Sequence, residues 1–323
     1  SAYREYPLLS PHPGWAELDS KQVIDACLDV IREAAAASGD PVRAIGISSQ
    51  GEAFTAVGPD GSYLYNAMVS SDTRAADIAE TWSKDFGRKR LYRATGHTAH
   101  PLFTLFKIVW LRDNLPDVWD RAAKFYCFEE LLQSRLGLDP AISWPLAGRT
   151  MMFNVRTHKW DPQILEKIGL DAAKLARPVP SGTIVGTIPA AMADRLGLGH
   201  DVAVVAGGHD QPAAAFGAGA VSPGQALYAM GTVECICPAF PMRIFSQDLF
   251  QNNLCIYDHV SKGLSTSVAY SLTGGNLLKW FRDEWSAAER DEAARTGANV
   301  YELILRELPP NPTDLLVLPY FTP

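Results

Sequence analysis

An unbroken apolar run, Val202 to Ala206, that meets a Gly-Gly pair constrains this chain more than any other stretch. A short apolar run bounded by turn residues predicts a strand buried on both faces. Gly207 and Gly208 are expected to break it, and His209 and Asp210 follow. Pro212 suits the first turn of a helix, and Gly217 and Gly219 suit its end. Asp210 therefore stands where a buried strand gives way to a helix. In an open α/β sheet, that crevice is where ligands bind.

An Asp just before a helix is ordinarily its N-cap. Two features point to more. The glycine pair lets backbone and ligand come close, which a cap does not need. A second apolar strand, Ala226–Val233, carries Gly231-Thr232. A Gly and a hydroxyl in a strand-strand turn can offer N–H and O–H groups to a phosphate. A carboxylate followed by a Gly-Thr hairpin suggests phosphoryl transfer.

The run GGHDQPAAAFGAGAVSPGQALYAMGTV resembles the FGGY carbohydrate kinases of the xylulose kinase and glycerol kinase type. AIGISSQGEAF (Ala44–Phe54), NAMVSSDTR (Asn66–Arg74), TGHTAHPLFTLFKIVWL (Thr95–Leu111), TGGNLLKWFRDEW (Thr273–Trp285) and LLVLPYFTP (Leu315–Pro323) continue the series in that family's order. The resemblance implies an α/β protein of the actin-like, ribonuclease H-like ATPase fold, with mixed sheets, flanking helices and two domains. The first would be a sugar-binding domain over residues 1–219. Ala220-Val221-Ser222-Pro223-Gly224 marks the break, and residues 220–323 would begin a nucleotide-binding domain.

With 323 residues the chain can bury a large core. No apolar run is long enough to cross a bilayer. A net charge of -7 without a basic cluster argues against nucleic acid or an anionic membrane as partner. It leaves room for a phosphorylated ligand, which needs only local donors. The five cysteines are scattered, and Cys235 and Cys237 should share one strand face. Reduced core thiols and a cytoplasmic location are the expectation.

Along the chain, Asp19-Ser20-Lys21-Gln22 resembles a capping box ahead of a helix with Val23, Ile24, Cys27, Ile31 and Ala34 on its apolar face. A strand over Val42–Ser48 delivers Ser49, Gln50 and Glu52 to its carboxyl end. Glu52 is either a solvated loop carboxylate or an acceptor for sugar hydroxyls. The resemblance places Gln50, Gly51 and Glu52 in the substrate site, closer to the glycerol-kinase pattern. It adds Ser70, Asp72, Leu102, His209 and Asp210. Ser70 stands where the family has a Trp, and Leu102 where glycerol kinases have a Tyr, so both depart from the pattern. Asp72 is expected to pair with Arg74 or cap a helix, with a share in shaping the site. His97 and His100 are candidates to replace a missing polar contact. Phe103, Phe106, Lys107, Trp110 and Leu111 keep helical spacing and read as core. Short helices are expected at Pro162–Ile168 and Ala190–Leu196, and a strand at Leu315–Leu318.

On the nucleotide side the resemblance points to Gly231, Thr232, Gly275 and Lys279. Thr273-Gly274-Gly275-Asn276 reads as a helix start with free N–H groups able to hold an anion.

The reaction implied is ATP-dependent phosphorylation of a sugar or polyol hydroxyl, a pentulose such as xylulose among the options. Asp210 would be the general base and a carboxylate for Mg²⁺. Its place at a helix start is expected to lower its pKa. A homodimer is a further possibility that family membership brings. Against the family's length, the chain is cut at both ends, so little kinase activity is expected of it alone. A sugar-binding module without catalysis, a glycoside hydrolase using Glu52 and Asp210, and an actin-like ATPase without a sugar substrate are the other readings.

Overall fold

The structure, a computed structural model, describes residues 1–231, 234–241, 245–271, 273–306, 308–311 and 313–316. It divides into two compact units, Ser1–Gln225 with Pro238–Ser267, and Ala226–Cys237 with Val268–Pro323.

In the first unit, helix α1 (Ser20–Ala36) begins where the sequence predicts. Asp19 caps it, its side chain accepting the Lys21 and Gln22 amides. Val23, Ile24 and Leu28 form its buried face, while Ala34 is exposed. Strand β1 (Ala44–Ser49) follows. Helix α2 (Thr104–Asn114) is buried almost all round, as its apolar composition demands. Helix α3 (Phe128–Arg135) and the short α4 (Trp144–Gly148) come next. Strands β2 (Ile184–Thr187) and β3 (Ala203–His209) lead to helix α5 (Asp210–Gly217). The short helices Pro162–Ile168 and Ala190–Leu196 lie within their expected bounds.

β3 is the middle strand of a three-stranded mixed sheet. It runs antiparallel to β2 and parallel to β1. Ala206 packs with Ala141 and Val179 beneath this sheet. β3 departs from the sequence expectation in two ways. Its residues alternate between buried and half-buried rather than being buried on both faces. The glycine pair does not end it either: the strand continues to His209, with a register shift against β1 between Ala206 and Gly208. The cause is a close approach. A Cβ on Gly207 would lie 2.1 Å from the Ile47 carbonyl oxygen of β1. The neighbouring strand by itself therefore requires a glycine at this position.

A hairpin closes the unit, with β4 (Tyr257–Asp258) antiparallel to β5 (Ser265–Thr266). Its base is tied back by Ile256 N–H to the Gly96 carbonyl, 2.8 Å. All five cysteines are free thiols, and Cys235 and Cys237 share a buried face.

Glu129 and Glu130 on α3 are buried. Glu129 Oε2 accepts the Ser143 N–H at 2.9 Å and the Ser143 O–H at 2.7 Å. Burial pushes the Glu129 carboxyl from 4.5 up to about 7, against the pull of these bonds. The folded chain thus keeps a proton that the unfolded chain releases. The stability this gives is greatest below pH 4.5 and is lost as pH rises through about 7. Glu129→Gln, which keeps an acceptor and cannot ionise, should gain on the parent by up to ~3 kcal/mol between ~pH 5 and ~pH 8 in urea unfolding. A difference independent of pH would mean that ionising Glu129 costs the fold nothing.

The second unit is smaller. Strand Ala226–Met230 neighbours the strand Glu234–Phe240, whose first residues pair antiparallel with Ala269–Ser271. Helix α6 (Gly275–Trp285) follows, then helices Ala287–Thr296 and Val300–Arg306. Leu315 and Leu316 show no strand, and Val317 and Leu318 lie outside the described residues. No helix among the described residues is long and apolar enough to cross a membrane.

Candidate active site

Because β1 and β3 are parallel and paired, both carboxyl ends open on the same edge. β1 delivers Gln50, Gly51 and Glu52 there, and β3 delivers His209 and Asp210. Asp210 is the first residue of α5, not its N-cap. His209 holds the cap position, and no side chain caps the helix. The Asp210 side chain is about half exposed at this edge. Contrary to expectation, its pKa is raised, to about 6. Burial drives it up and the nearby Glu52 charge adds to it, outweighing the Gln211 amide and Arg149.

Glu52 is not a solvated loop carboxylate. It is 4% exposed and sits at a left-handed φ of 65°. A non-glycine residue holds that conformation only when its surroundings fix it. Here the α2 start fixes the backbone, Thr104 Oγ1 donating to the Glu52 carbonyl at 2.9 Å. Arg149 fixes the side chain, its Nε and Nη2 both reaching Oε1. Arg149 follows α4 and is itself buried. Burial works against its charge, but Glu52, Tyr257 and Cys255 together more than offset this and raise its pKa. Gly51 is small of necessity: a Cβ there would lie 3.0 Å from the His209 ring and 3.2 Å from Arg149 Cγ.

His209 is buried beside Asp210, with Nε2 3.1 Å from Asp210 Oδ1 and Nδ1 2.8 Å from the Tyr257 hydroxyl. Burial, and after it the Arg149 charge, push its pKa well below the ordinary value, so the ring is neutral. His97 is also buried, its pKa lowered to about 3 chiefly by burial. Its Nδ1 meets the Thr95 carbonyl at 2.7 Å, and its ring packs on Phe103 and Tyr257. His97 is therefore a packing residue. His100 is exposed, its Nδ1 accepting the Leu102 amide at 3.2 Å.

Ser70 is exposed and Leu102 is buried. Asp72 is buried in an ionic knot. Arg74 binds it through Nε at 2.9 Å and Nη2 at 2.6 Å, and the same Nη2 reaches Glu17 at 2.7 Å. The Arg74 guanidinium also lies 3.7 Å over the Trp15 ring. Asp72 thus pairs with Arg74, as expected. Lys107, fully buried on α2, donates Nζ–H to the Val69 carbonyl at 2.6 Å. Burial foremost lowers its pKa to about 8. Sequence reasoning assigned Lys107 to the core; a cation amid Leu105, Phe106, Ile108 and Val109 was the signal that it secures the loop before Ser70. Sequence reasoning also missed the Glu52–Arg149 pairing and Tyr257, which no local motif announces.

In the second unit the expectation of free amides at the start of α6 is corrected. Gly275 N–H donates to the Gly231 carbonyl at 2.7 Å, and the Asn276 side chain accepts the Gly274 and Leu277 amides. Lys279 is exposed, and Thr232 lies outside the described residues. Among the described residues no group of three or more His, Cys, Asp or Glu could hold a metal ion.

The mixed α/β unit, with its paired parallel strands, has the actin-like, ribonuclease H-like fold of its structural neighbours. Residues 1–217 match the N-terminal domain of the FGGY family of carbohydrate kinases, and the chain belongs to that family. It is 30% identical over 302 residues to a glycerol kinase from Shewanella sp. (strain ANA-3), the match covering 87% of this chain and 58% of the relative. Its fold is similar to xylulose kinase from Rhodospirillum rubrum, with a TM-score of 0.82 at 21% identity, over 95% of this chain and 62% of the other. The ligand-bound xylulose kinase from Lactobacillus acidophilus gives 0.80 at 23% identity, over 87% and 56%. The chain thus spans a little over half the length of its relatives.

Proposed function

We propose that this chain carries the acceptor site of an ATP-dependent sugar or polyol kinase, with Asp210 as general base. The observation behind this reading is the half-exposed Asp210 carboxylate at the shared carboxyl edge of β1 and β3, where the buried Glu52–Arg149 pair also stands. Asp210 takes the proton of the acceptor hydroxyl as that oxygen bonds to the γ-phosphorus. The bond from phosphorus to the β-γ bridging oxygen breaks, and ADP leaves. A base with pKa near 6 is ionised at neutral pH and still basic enough to accept the proton. Positioning supplies most of the remaining rate.

Gln50, Gly51, Glu52, Ser70 and Leu102 are the proposed acceptor wall. Gly231, Thr232, Gly275 and Lys279 are the proposed nucleotide side. A bound Mg²⁺ would be held by a carboxylate together with phosphates and water, and would supply charge neutralisation for the phosphates. Asp210, accessible at the strand edge, is the carboxylate that would hold the ion.

Thermal unfolding with a panel of pentuloses, hexuloses and polyols tests the acceptor assignment. A true acceptor at ~100 times its Kd adds ~2.7 kcal/mol and a clear rise in Tm. If none of these ligands moves the transition, the acceptor reading is wrong.

A further inference from the structure

We infer that His209, anchored by Tyr257, is a positioning residue that fixes the Asp210 carboxylate for proton transfer; this rests on the kinase reading above. Asp210 begins a helix without a side-chain cap and is half exposed; the Gln211 amide of its own helix bonds the carboxylate, and a second contact comes from the residue before the helix. The His209 ring, by contrast, is buried and can move little. It bridges Asp210 Oδ1 at 3.1 Å and the Tyr257 hydroxyl at 2.8 Å.

The two partners dictate one tautomer. An ionised carboxylate only accepts, so Nε2 carries the hydrogen and donates it to Oδ1. In a neutral ring Nδ1 is then bare and accepts the Tyr257 O–H. The chain of bonds runs Tyr257 to His209 to Asp210, each donor pointing toward the carboxylate. Tyr257 is itself immobilised. It is fully buried, lies against the His97 ring at 5.2 Å, and follows Ile256, whose amide is bound to Gly96. Oδ1 is thus committed to His209, and the remaining carboxylate lone pairs are aimed by that bond. The arrangement orients a base through a third group, as catalytic triads do.

Two measurements test this. In the ¹⁵N-histidine-labelled chain, with the His209 signals assigned by their loss in His209→Gln, Nε2 should be protonated and Nδ1 bare at neutral pH. Tyr257→Phe should shift the Nδ1 resonance. A protonated Nδ1, or no response to Tyr257→Phe, overturns the inference, whether or not the protein is a kinase. In the intact protein, His209→Asn puts its amide near the Nδ1 position and cannot reach Asp210. It should lower kcat by ~10–100-fold with the acceptor KM within ~twofold. His209→Gln puts an N–H near the Nε2 position and should restore most of the rate. Equal losses in the two variants, or a change in KM alone, overturn the inference. If the parent itself transfers no phosphate, the kinase reading fails, and the nitrogen resonances still decide the positioning.

Discussion

Asp210→Asn is expected to lower phosphoryl transfer by ~10²–10⁴-fold while leaving acceptor affinity nearly unchanged. The substitution keeps the shape and a carbonyl acceptor toward His209 Nε2, and removes only the ability to take a proton. The loss should therefore fall on kcat, with the ligand-induced rise in Tm preserved. The same base sets a pH limb in the parent. With a pKa of about 6, Asp210 is progressively protonated below that pH, so kcat/KM should fall toward acid and level off above it. In the variant this limb should vanish from the residual rate. Stopped-assay rates across pH, together with acceptor titrations by calorimetry, read both effects. An Asn variant that keeps more than ~10% of the parent kcat would remove Asp210 from the role of base.

The sign of that pKa shows what the sequence made legible and what it did not. The strand-to-helix junction at Asp210 was readable, because an apolar run, a Pro and terminal glycines each have local meaning. The α1 cap at Asp19 was readable for the same reason. Electrostatics were not. Helix position alone predicts a lowered pKa, whereas burial and Glu52, remote in sequence, raise it. Gly207 is a similar case. A glycine pair reads as room for a ligand, yet the atom that requires it is the Ile47 carbonyl of a distant strand. Glu52 in a loop-like stretch reads as solvated until Arg149 and Thr104 close over it. Local chemistry thus locates the site, and long-range contacts set its charges. Tyr257 is the extreme case, since its role exists only through a hairpin folded against Gly96.

Those long-range charges make the second large effect. Arg149→Leu is expected to destabilise the chain by ~3–5 kcal/mol, because it leaves the Glu52 carboxylate buried without its partner. For a domain of this size the fall in Tm should be roughly 10 °C. Lost packing would contribute too, since the guanidinium lies 5.0 Å from the Phe103 ring centroid. The double variant Glu52→Leu with Arg149→Leu separates the two causes. If uncompensated charge dominates, removing both partners should restore most of the Tm, since buried ion pairs are often no better than apolar residues of like volume. Acceptor binding should behave differently. Charged hydrogen-bonding groups contribute ~1.5–3 kcal/mol each, so the double variant should stay ~10–100-fold weaker for its acceptor despite its recovered stability. Recovery of both properties together would place Glu52 outside the acceptor wall. A double variant as unstable as Arg149→Leu would show that packing, not charge, is what Arg149 supplies.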